Sequence, residues 1–200
     1  MSKQSDVQMR NLILASTSIY RRELLKRLGL TFETARPDID EVALANEAPQ
    51  DTAKRLAQAK SRAVAPLHLD ALIIGSDQVA SCEGRRLDKP GTHENAVQQL
   101  TWLSSRIANF DTGVSILDTQ SGRMAVQVVP CRVHFRTLSK DKIEAYLRRE
   151  QPYDCAGSAK AEGLGIALIA RIETDDPTSL IGLPLIALTS LLEAFGVSPV

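Results

Sequence analysis

Short aliphatic runs alternate along this chain with longer segments whose apolar residues recur at helical spacing. The run Asn11–Ala15 is too short for a helix and apolar enough for a buried strand, and residues 72–74 repeat the pattern. Polar residues follow each run directly, at 16–18 and at 75–77. Buried strands that alternate with helices form a sheet with helices on its faces. The pattern therefore predicts an α/β fold with a central mixed β-sheet flanked by helices.

The same periodicity predicts the remaining elements. Strands are expected at 11–15, 30–35, 72–74, 107–117, 124–135 and up to residue 172, helices at 18–28, 51–65, 95–103, 139–150 and between Pro184 and Gly196, and a loop at 82–92. The two strands on either side of residues 120–122 predict a hairpin. The alternation slips near Val129 and Pro130, and because proline lacks an N–H group we expect a bulge or a sheet edge there.

The composition excludes several classes of protein. Of the 200 residues, 44% are hydrophobic and 24% are charged, which is typical of globular domains and excludes a disordered or collagen-like chain. The 24 basic and 24 acidic residues cancel, so we expect neither a nucleic-acid partner nor a membrane partner. Three separated cysteines, Cys82, Cys131 and Cys155, and a polar N-terminus predict a cytoplasmic protein. We expect one domain over 1–200, with 1–10 as a flexible tail.

Two adjacent arginines near the start of the first predicted helix suggest an anion site. Ser18 is the predicted N-cap, so Arg21 and Arg22 lie in the first turn, where the helix dipole is positive. An exposed cation there is unfavourable by about 0.3–1 kcal/mol. Either the rest of the fold absorbs this cost, or a bound anion reverses it, with the hydroxyl groups of Ser16 and Ser18 as further donors. The residues alone leave both interpretations open.

Four other charged residues are candidates for chemistry. Asp77 follows an apolar strand, where carboxylates commonly face a cleft, although a carboxylate that caps a turn explains it equally well. Lys60 in a predicted helix and Lys89 in a loop are each explained by solvent exposure when taken alone. Glu41 lies in the acidic segment 38–41 and is either a metal ligand or a solvated charge.

The tripeptide Asp-Thr-Gly at 111–113 is typical of aspartic proteases, in which two carboxylates share a proton. One such tripeptide on a predicted hairpin strand carries little weight, and the chain has no P-loop, HExxH or GxSxG motif. A protease that uses Asp111 is therefore a remote alternative.

Several short motifs occur in a fixed order along the chain. They lie at 12–18, 20–25, 38–41, 55–60, 73–78, 88–90, 112–113, 155–163 and 182–184. In this order they resemble the Maf family of nucleoside triphosphate pyrophosphatases, and the resemblance covers nearly the whole chain. One departure is Ile19, where the family usually has proline.

The resemblance implies a fold like that of inosine triphosphatases, with a substrate cleft between two lobes. It also implies hydrolysis of a nucleoside triphosphate to a monophosphate and pyrophosphate, a divalent cation (Mg²⁺ expected, Mn²⁺ or Co²⁺ as alternatives) and a homodimer. By motif position, Asp77 takes the family's proton-acceptor role. The other positions that match are Ser16, Arg21, Arg22, Lys60 and Lys89 for phosphate binding, and Glu41 and Asp77 for the metal.

Three positions resemble the subgroup of that family that hydrolyses 7-methyl-GTP. Tyr20 presents an aromatic face that attracts a cationic base, and the Glu162 carboxylate accepts from both donors on the guanine edge. Gln78 is the third position. Without the resemblance, ordinary packing explains Tyr20 and a solvated loop charge explains Glu162. The alternative functions are a pyrophosphatase for dTTP, UTP or another modified nucleotide, and a nucleotide-binding regulator of septum formation.

Overall fold

The computed structural model describes residues 10–200. The strands are β1 (Asn11–Ala15), β2 (Glu33–Ala35), β3 (Ala71–Cys82), β4 (Arg85–Leu87), β5 (Ile107–Asp118), β6 (Met124–Phe135) and β7 (Ile169–Glu173). The helices are α1 (Ile19–Lys26), α2 (Pro49–Val64), α3 (His93–Leu103), α4 (Lys140–Glu150) and α5 (Leu185–Ala194). None of the helices in this part of the chain is both long and apolar enough to cross a membrane.

The strands form one seven-stranded sheet in the order β2-β1-β3-β5-β6-β7, with β4 paired to β3 outside this path. Strand β1 runs parallel to β2 and β3, whereas β3, β5, β6 and β7 are antiparallel neighbours. This arrangement confirms the predicted α/β fold with a mixed central sheet. The predicted hairpin is also confirmed as β5 and β6.

The main difference from the predicted elements is the length of β3, which continues to Cys82 instead of ending at the polar residues 75–77. Polar residues after an apolar run suggested the end of a strand. In the structure they stay in the strand because β5 pairs with β3 along 72–81, and β4 joins inside the predicted loop. The slip near Pro130 is not a bulge, since the β5–β6 register is continuous there; the irregularity lies between His134 and Phe135, where β6 meets β7. The alternative, a sheet edge, is confirmed, because β6 pairs with β7 only from Arg132 and has no strand on that side at Pro130 among the described residues.

Serine and glycine set the limits of α1 as the sequence predicts. The Ser18 side chain accepts a hydrogen bond from the backbone N–H of Arg21 and caps the helix. Gly29 adopts a φ of 68°, a left-handed conformation that favours glycine and ends the helical path. The α4 cap at Ser139 follows the same rule. Side-chain caps of this kind are the sequence signals that located these helix starts.

Residues 1–9 lie outside the described residues, so most of the expected tail has no structural account. Arg10, its last residue, is described. The Arg10 guanidinium donates to the Asp118 carboxylate at the end of β5. That ion pair lowers the pKa of Asp118 well below its usual range. The entry into β1 is thereby attached to the sheet.

Apolar residues fill both faces of the sheet. On one face Leu14 packs with Leu25 of α1 and Leu188 of α5. On the other face Ile73 packs with Val64 of α2. Successive strand residues point to opposite faces, which explains why uninterrupted aliphatic runs fill both layers. A third cluster lies between α3, α4 and the far half of the sheet.

Two glycines let α2 lie directly on the sheet. A Cβ atom on Gly75 would lie 2.1 Å from the carbonyl oxygen of Ala57, and one on Gly113 would lie 2.4 Å from that of Ala53. The helix therefore approaches β3 and β5 backbone to backbone at these points. Lys60 is three residues beyond Ala57 and on the same side of the helix, so this close approach sets where its side chain meets β3.

Replacing Gly75 with alanine tests this contact. We expect Gly75→Ala to lower the free energy of unfolding by about 3 kcal/mol, because a backbone carbonyl cannot move away without displacing α2. Urea unfolding measures the loss. Gly122→Ala is the control, since that glycine has no atom near its Cβ position and only its φ of 72° opposes alanine, by about 1–2 kcal/mol. A loss for Gly75→Ala no larger than that of the control contradicts the close approach.

Candidate active site

A cavity of about 1070 Å³ opens at a break in the strands beside β3. Strand β1 ends at Ala15 opposite Gly75, and β4 joins β3 only from Ala80. Between these points β3 has β5 on one side and no strand on the other in the described part of the chain. The carboxyl ends of the parallel strands β1 and β2 meet at this break, which is where α/β sheets commonly bind ligands.

Nine of the ten predicted site residues line this cavity. They are Ser16, Tyr20, Arg21, Glu41, Lys60, Asp77, Gln78, Lys89 and Glu162. They come from segments that are far apart in sequence, so the fold brings them together. Their individual roles stay predictions at this point.

A lysine held between two carboxylates forms part of the cavity wall. The Lys60 Nζ atom is 2.7 Å from Asp77 Oδ1 and 3.0 Å from Glu41 Oε2. Lys60 and Asp77 are each only 5% exposed, whereas Glu41 is exposed on its loop. Breaking a buried ion pair by removing one partner leaves an uncompensated charge and costs about 3–5 kcal/mol. The pair therefore holds both side chains in a fixed orientation.

Strand alternation sends Asp77 and Gln78 to opposite faces of the sheet. Asp77 faces α2, where Lys60 meets it. The Gln78 amide nitrogen faces the other layer, where its two N–H groups share three acceptors: the carbonyl oxygens of Ser179 and Leu180 at 2.9 and 3.1 Å, and Thr112 Oγ1 at 3.0 Å. Gln78 therefore anchors the turn at 179–181 against the sheet.

Arg21 directs a charged group into the cavity from the first turn of α1. Its Nε donates to the Gly182 carbonyl oxygen at 2.8 Å. Burial lowers the pKa of Arg21, and the negative charges of Asp77 and Glu41 oppose that shift. Among residues 10–200 neither η nitrogen of Arg21 donates to a protein acceptor. Two such nitrogens in a cavity match the spacing of phosphate oxygens.

Arg22 is the predicted site residue that the structure does not bring to the cavity. It is exposed, its Nε lies 3.6 Å from Glu23 Oε1, and it lines a separate shallow cavity with Lys26. Consecutive residues on a helix point about 100° apart. Tyr20 and Arg21 both line the cavity, and the next step around the helix turns Arg22 to solvent. The structure therefore brings only one of the two adjacent arginines to this cavity.

Tyr20 lies beside a group of charged residues from the segment after α4. Its hydroxyl donates to Asp154 Oδ2 at 3.2 Å, and Lys160 Nζ lies 5.7 Å from the ring centroid. Burial raises the pKa of Tyr20, as do the neighbouring Cys155 and Asp154, so the hydroxyl stays protonated at neutral pH. Glu162 is exposed on the same segment.

The sequence analysis missed two arginines that line the cavity, Arg36 and Arg86. Arg36 follows β2 as Ser16 follows β1, and Ala15 and Ala35 are register partners. Parallel pairing of β1 and β2 therefore places Arg36 next to the cavity mouth. The predicted order strand, helix, strand was the signal that could have located Arg36, because the two strands that flank a helix in a βαβ unit are parallel and end at the same edge of the sheet.

Asp111 lies outside the cavity lining, on the α2 face of β5. The residue is only 5% exposed, and burial raises the pKa of its carboxyl, with the Gln50 side chain opposing the shift. In the described part of the chain no second carboxylate is hydrogen-bonded to it. An aspartic protease needs two carboxylates that share a proton. The arrangement therefore gives no support to the protease alternative.

Asp111 should make stability depend on pH in a defined direction. Its pKa is higher in the folded than in the unfolded chain, so its charge lowers stability as the pH rises through the folded value. We expect Asp111→Asn to raise the free energy of unfolding near pH 7 by on the order of 1 kcal/mol. Below about pH 3 both states are protonated and that benefit disappears. Urea unfolding at both pH values measures it, and a loss of stability near pH 7 would contradict the assignment.

The comparisons with known proteins agree on one family. The family model described as "Maf-like protein" matches residues 11–195. A protein of Cupriavidus pinatubonensis, named 7-methyl-GTP pyrophosphatase, is 56% identical over 92% of this chain and 93% of its own length. Proteins of the same name from Aromatoleum aromaticum and Albidiferax ferrireducens are 54% and 51% identical, over 92% and 96% of this chain and 95% and 97% of their own lengths. The chain belongs to the Maf family.

Proposed function

We propose that this protein hydrolyses 7-methyl-GTP to 7-methyl-GMP and pyrophosphate and so removes a modified nucleotide. The observation that carries the proposal is a single cavity that joins the buried Lys60–Asp77 pair to the Tyr20 ring. Relatives that share more than half of the sequence are named for this activity.

The triphosphate is proposed to bind along the basic wall of the cavity. Arg21 offers two η nitrogens, and Lys60 and Lys89 offer ammonium groups. The Ser16 hydroxyl accepts from the backbone N–H of Ser18, which leaves its own proton available to a phosphate oxygen. Charges at 4 Å interact by about 1 kcal/mol in water and about 4 kcal/mol at an effective dielectric of 20. Burial therefore makes Lys60 and the half-buried Arg21 more effective than the exposed Lys89.

Asp77 is proposed as the group that receives the proton of the attacking water. Water oxygen bonds to the α-phosphorus, the bond to the oxygen that bridges to the β-phosphorus breaks, and pyrophosphate leaves with that oxygen. Lys60 holds Asp77 Oδ1, and no protein donor in residues 10–200 contacts Oδ2. That second oxygen is available to orient the water and accept its proton.

A divalent cation is proposed at Asp77 and Glu41, with Mg²⁺ expected and Mn²⁺ or Co²⁺ as alternatives. No three His, Cys, Asp or Glu side chains gather as a metal site among the described residues. Mg²⁺ nevertheless binds commonly through one or two carboxylates together with substrate phosphates and water. The two carboxylates already share one cation, Lys60, so the donor set fits. When bound, such an ion neutralises phosphate charge and acidifies its water.

The base is proposed to lie against Tyr20, within reach of Glu162. Methylation at N7 gives guanine a positive charge, and contact with an aromatic face then contributes roughly 0.5–2 kcal/mol. The Glu162 carboxylate is proposed to accept from N1–H and the exocyclic amine. Gln78 is proposed to act through its anchoring of the 179–181 turn.

The alternative substrates are dTTP, UTP or another modified nucleotide, and the alternative of a different class is a nucleotide-binding regulator of septum formation. A cytoplasmic location, one domain and a homodimer stay predictions, as do the expected lack of nucleic-acid and membrane partners. Turnover separates an enzyme from a regulator, because a regulator binds nucleotide without releasing pyrophosphate.

Pyrophosphate release from a panel of nucleotides tests the proposal. With Mg²⁺ we expect the highest kcat/KM for 7-methyl-GTP, compared with GTP, UTP and dTTP. Asp77→Asn should lower kcat by at least about 100-fold, because the substitution removes the proton acceptor and keeps the shape of the side chain. Arg22→Gln is the control, since Arg22 faces away from the cavity, and its kcat should stay within about twofold of wild type. Near-normal turnover by Asp77→Asn contradicts the assigned role.

A further inference from the structure

Two acidic residues line the cavity beside Tyr20 without a cation to pair with. Asp154 and Glu162 are both lining residues, and neither forms a salt bridge within residues 10–200. Lys160, on the same segment, pairs with Glu150 at 3.3 Å instead. This part of the wall therefore carries uncompensated negative charge, whereas Arg21, Lys60 and Lys89 supply positive charge elsewhere in the same cavity.

Asp154 differs from Glu162 because it accepts a hydrogen bond from the hydroxyl group of Tyr20. The Tyr20 hydroxyl donates to Asp154 Oδ2 at 3.2 Å. A carboxylate at the hydroxyl increases the negative potential at the ring face, and an aromatic face attracts cations through that potential. Lys160 Nζ lies 5.7 Å from the ring centroid, so a cationic group is already placed over the ring.

We propose that Asp154 is a specificity-determining residue that selects a nucleotide with a positively charged base over the same nucleotide with a neutral base. This inference rests on the proposed function and deepens it. The carboxylate acts by charge on a base lying against Tyr20. A neutral guanine has the same hydrogen-bonding edge for Glu162 but gains little from Asp154, because Coulomb attraction requires the positive charge on the base.

Asp154→Asn tests the role of the charge. Asparagine keeps an oxygen that accepts the Tyr20 hydroxyl proton and nearly the same shape, so it removes only the charge. Because Asp154 is exposed, its charge acts on the base as it would in water, so we expect kcat/KM for 7-methyl-GTP to fall about fivefold and that for GTP to change less than about twofold. The assays belong at slightly acidic pH, where the methylated base keeps its N1 proton and its net positive charge. Raising the salt concentration should reduce the wild-type preference.

Asp141→Asn is the matched control, because it removes one negative charge from an exposed position on α4 outside the cavity lining. The ratio of the two kcat/KM values should stay at the wild-type value in this variant. If Asp154→Asn lowers kcat/KM by the same factor for both nucleotides, Asp154 only holds Tyr20 in place and the inference is overturned. The inference is also overturned if neither kcat/KM value changes. A wild-type protein that does not hydrolyse 7-methyl-GTP would instead overturn the proposed function itself.

Discussion

The contact of the Lys60 ammonium group with Asp77 and Glu41 is the interaction on which the rest of the proposed site depends. It joins helix α2, strand β3 and the loop after β2 through distances of 2.7 and 3.0 Å. Removing two charges from water is expensive, so this pair is weak support for stability and strong support for a fixed arrangement. The close approach of α2 at Gly75 sets the position of Lys60, and the length of β3 sets that of Asp77.

The break in the sheet explains why the charged residues gather there. Strand β1 ends at Ala15 while β3 continues, so the segments that leave β1 and β2 line a cavity beside a stretch of β3 that is paired on its β5 side alone among the described residues. Arg21 then enters from the first turn of α1, and the segment that follows α4 brings Tyr20 a carboxylate partner in Asp154. Basic and acidic groups thus share one cavity although the chain has no net charge.

Much of the fold could be predicted from the sequence, because residue periodicity and side-chain caps act locally. Strand β1, the hairpin of β5 and β6, and the start of α1 at Ser18 follow from such signals. The second half of β3 could not, since its pairing with distant β5 keeps polar residues in the strand. The position of Arg22 next to Arg21 in the sequence suggested it as a site residue, whereas the helix directs it away from the cavity. Sheet topology instead places Arg36 in the cavity lining. Asp154 carries no local signal, because only the fold places it at Tyr20.

The position of the new oxygen atom tests the central chemical claim most directly. Hydrolysis of 7-methyl-GTP in oxygen-18 water, followed by mass spectrometry of both products, reports which phosphorus the water attacks. If Asp77 directs water to the α-phosphorus, the label is found in 7-methyl-GMP and pyrophosphate is unlabelled. Label in pyrophosphate would mean attack at the β-phosphorus and would contradict the arrangement of Lys60, Asp77 and the triphosphate described above.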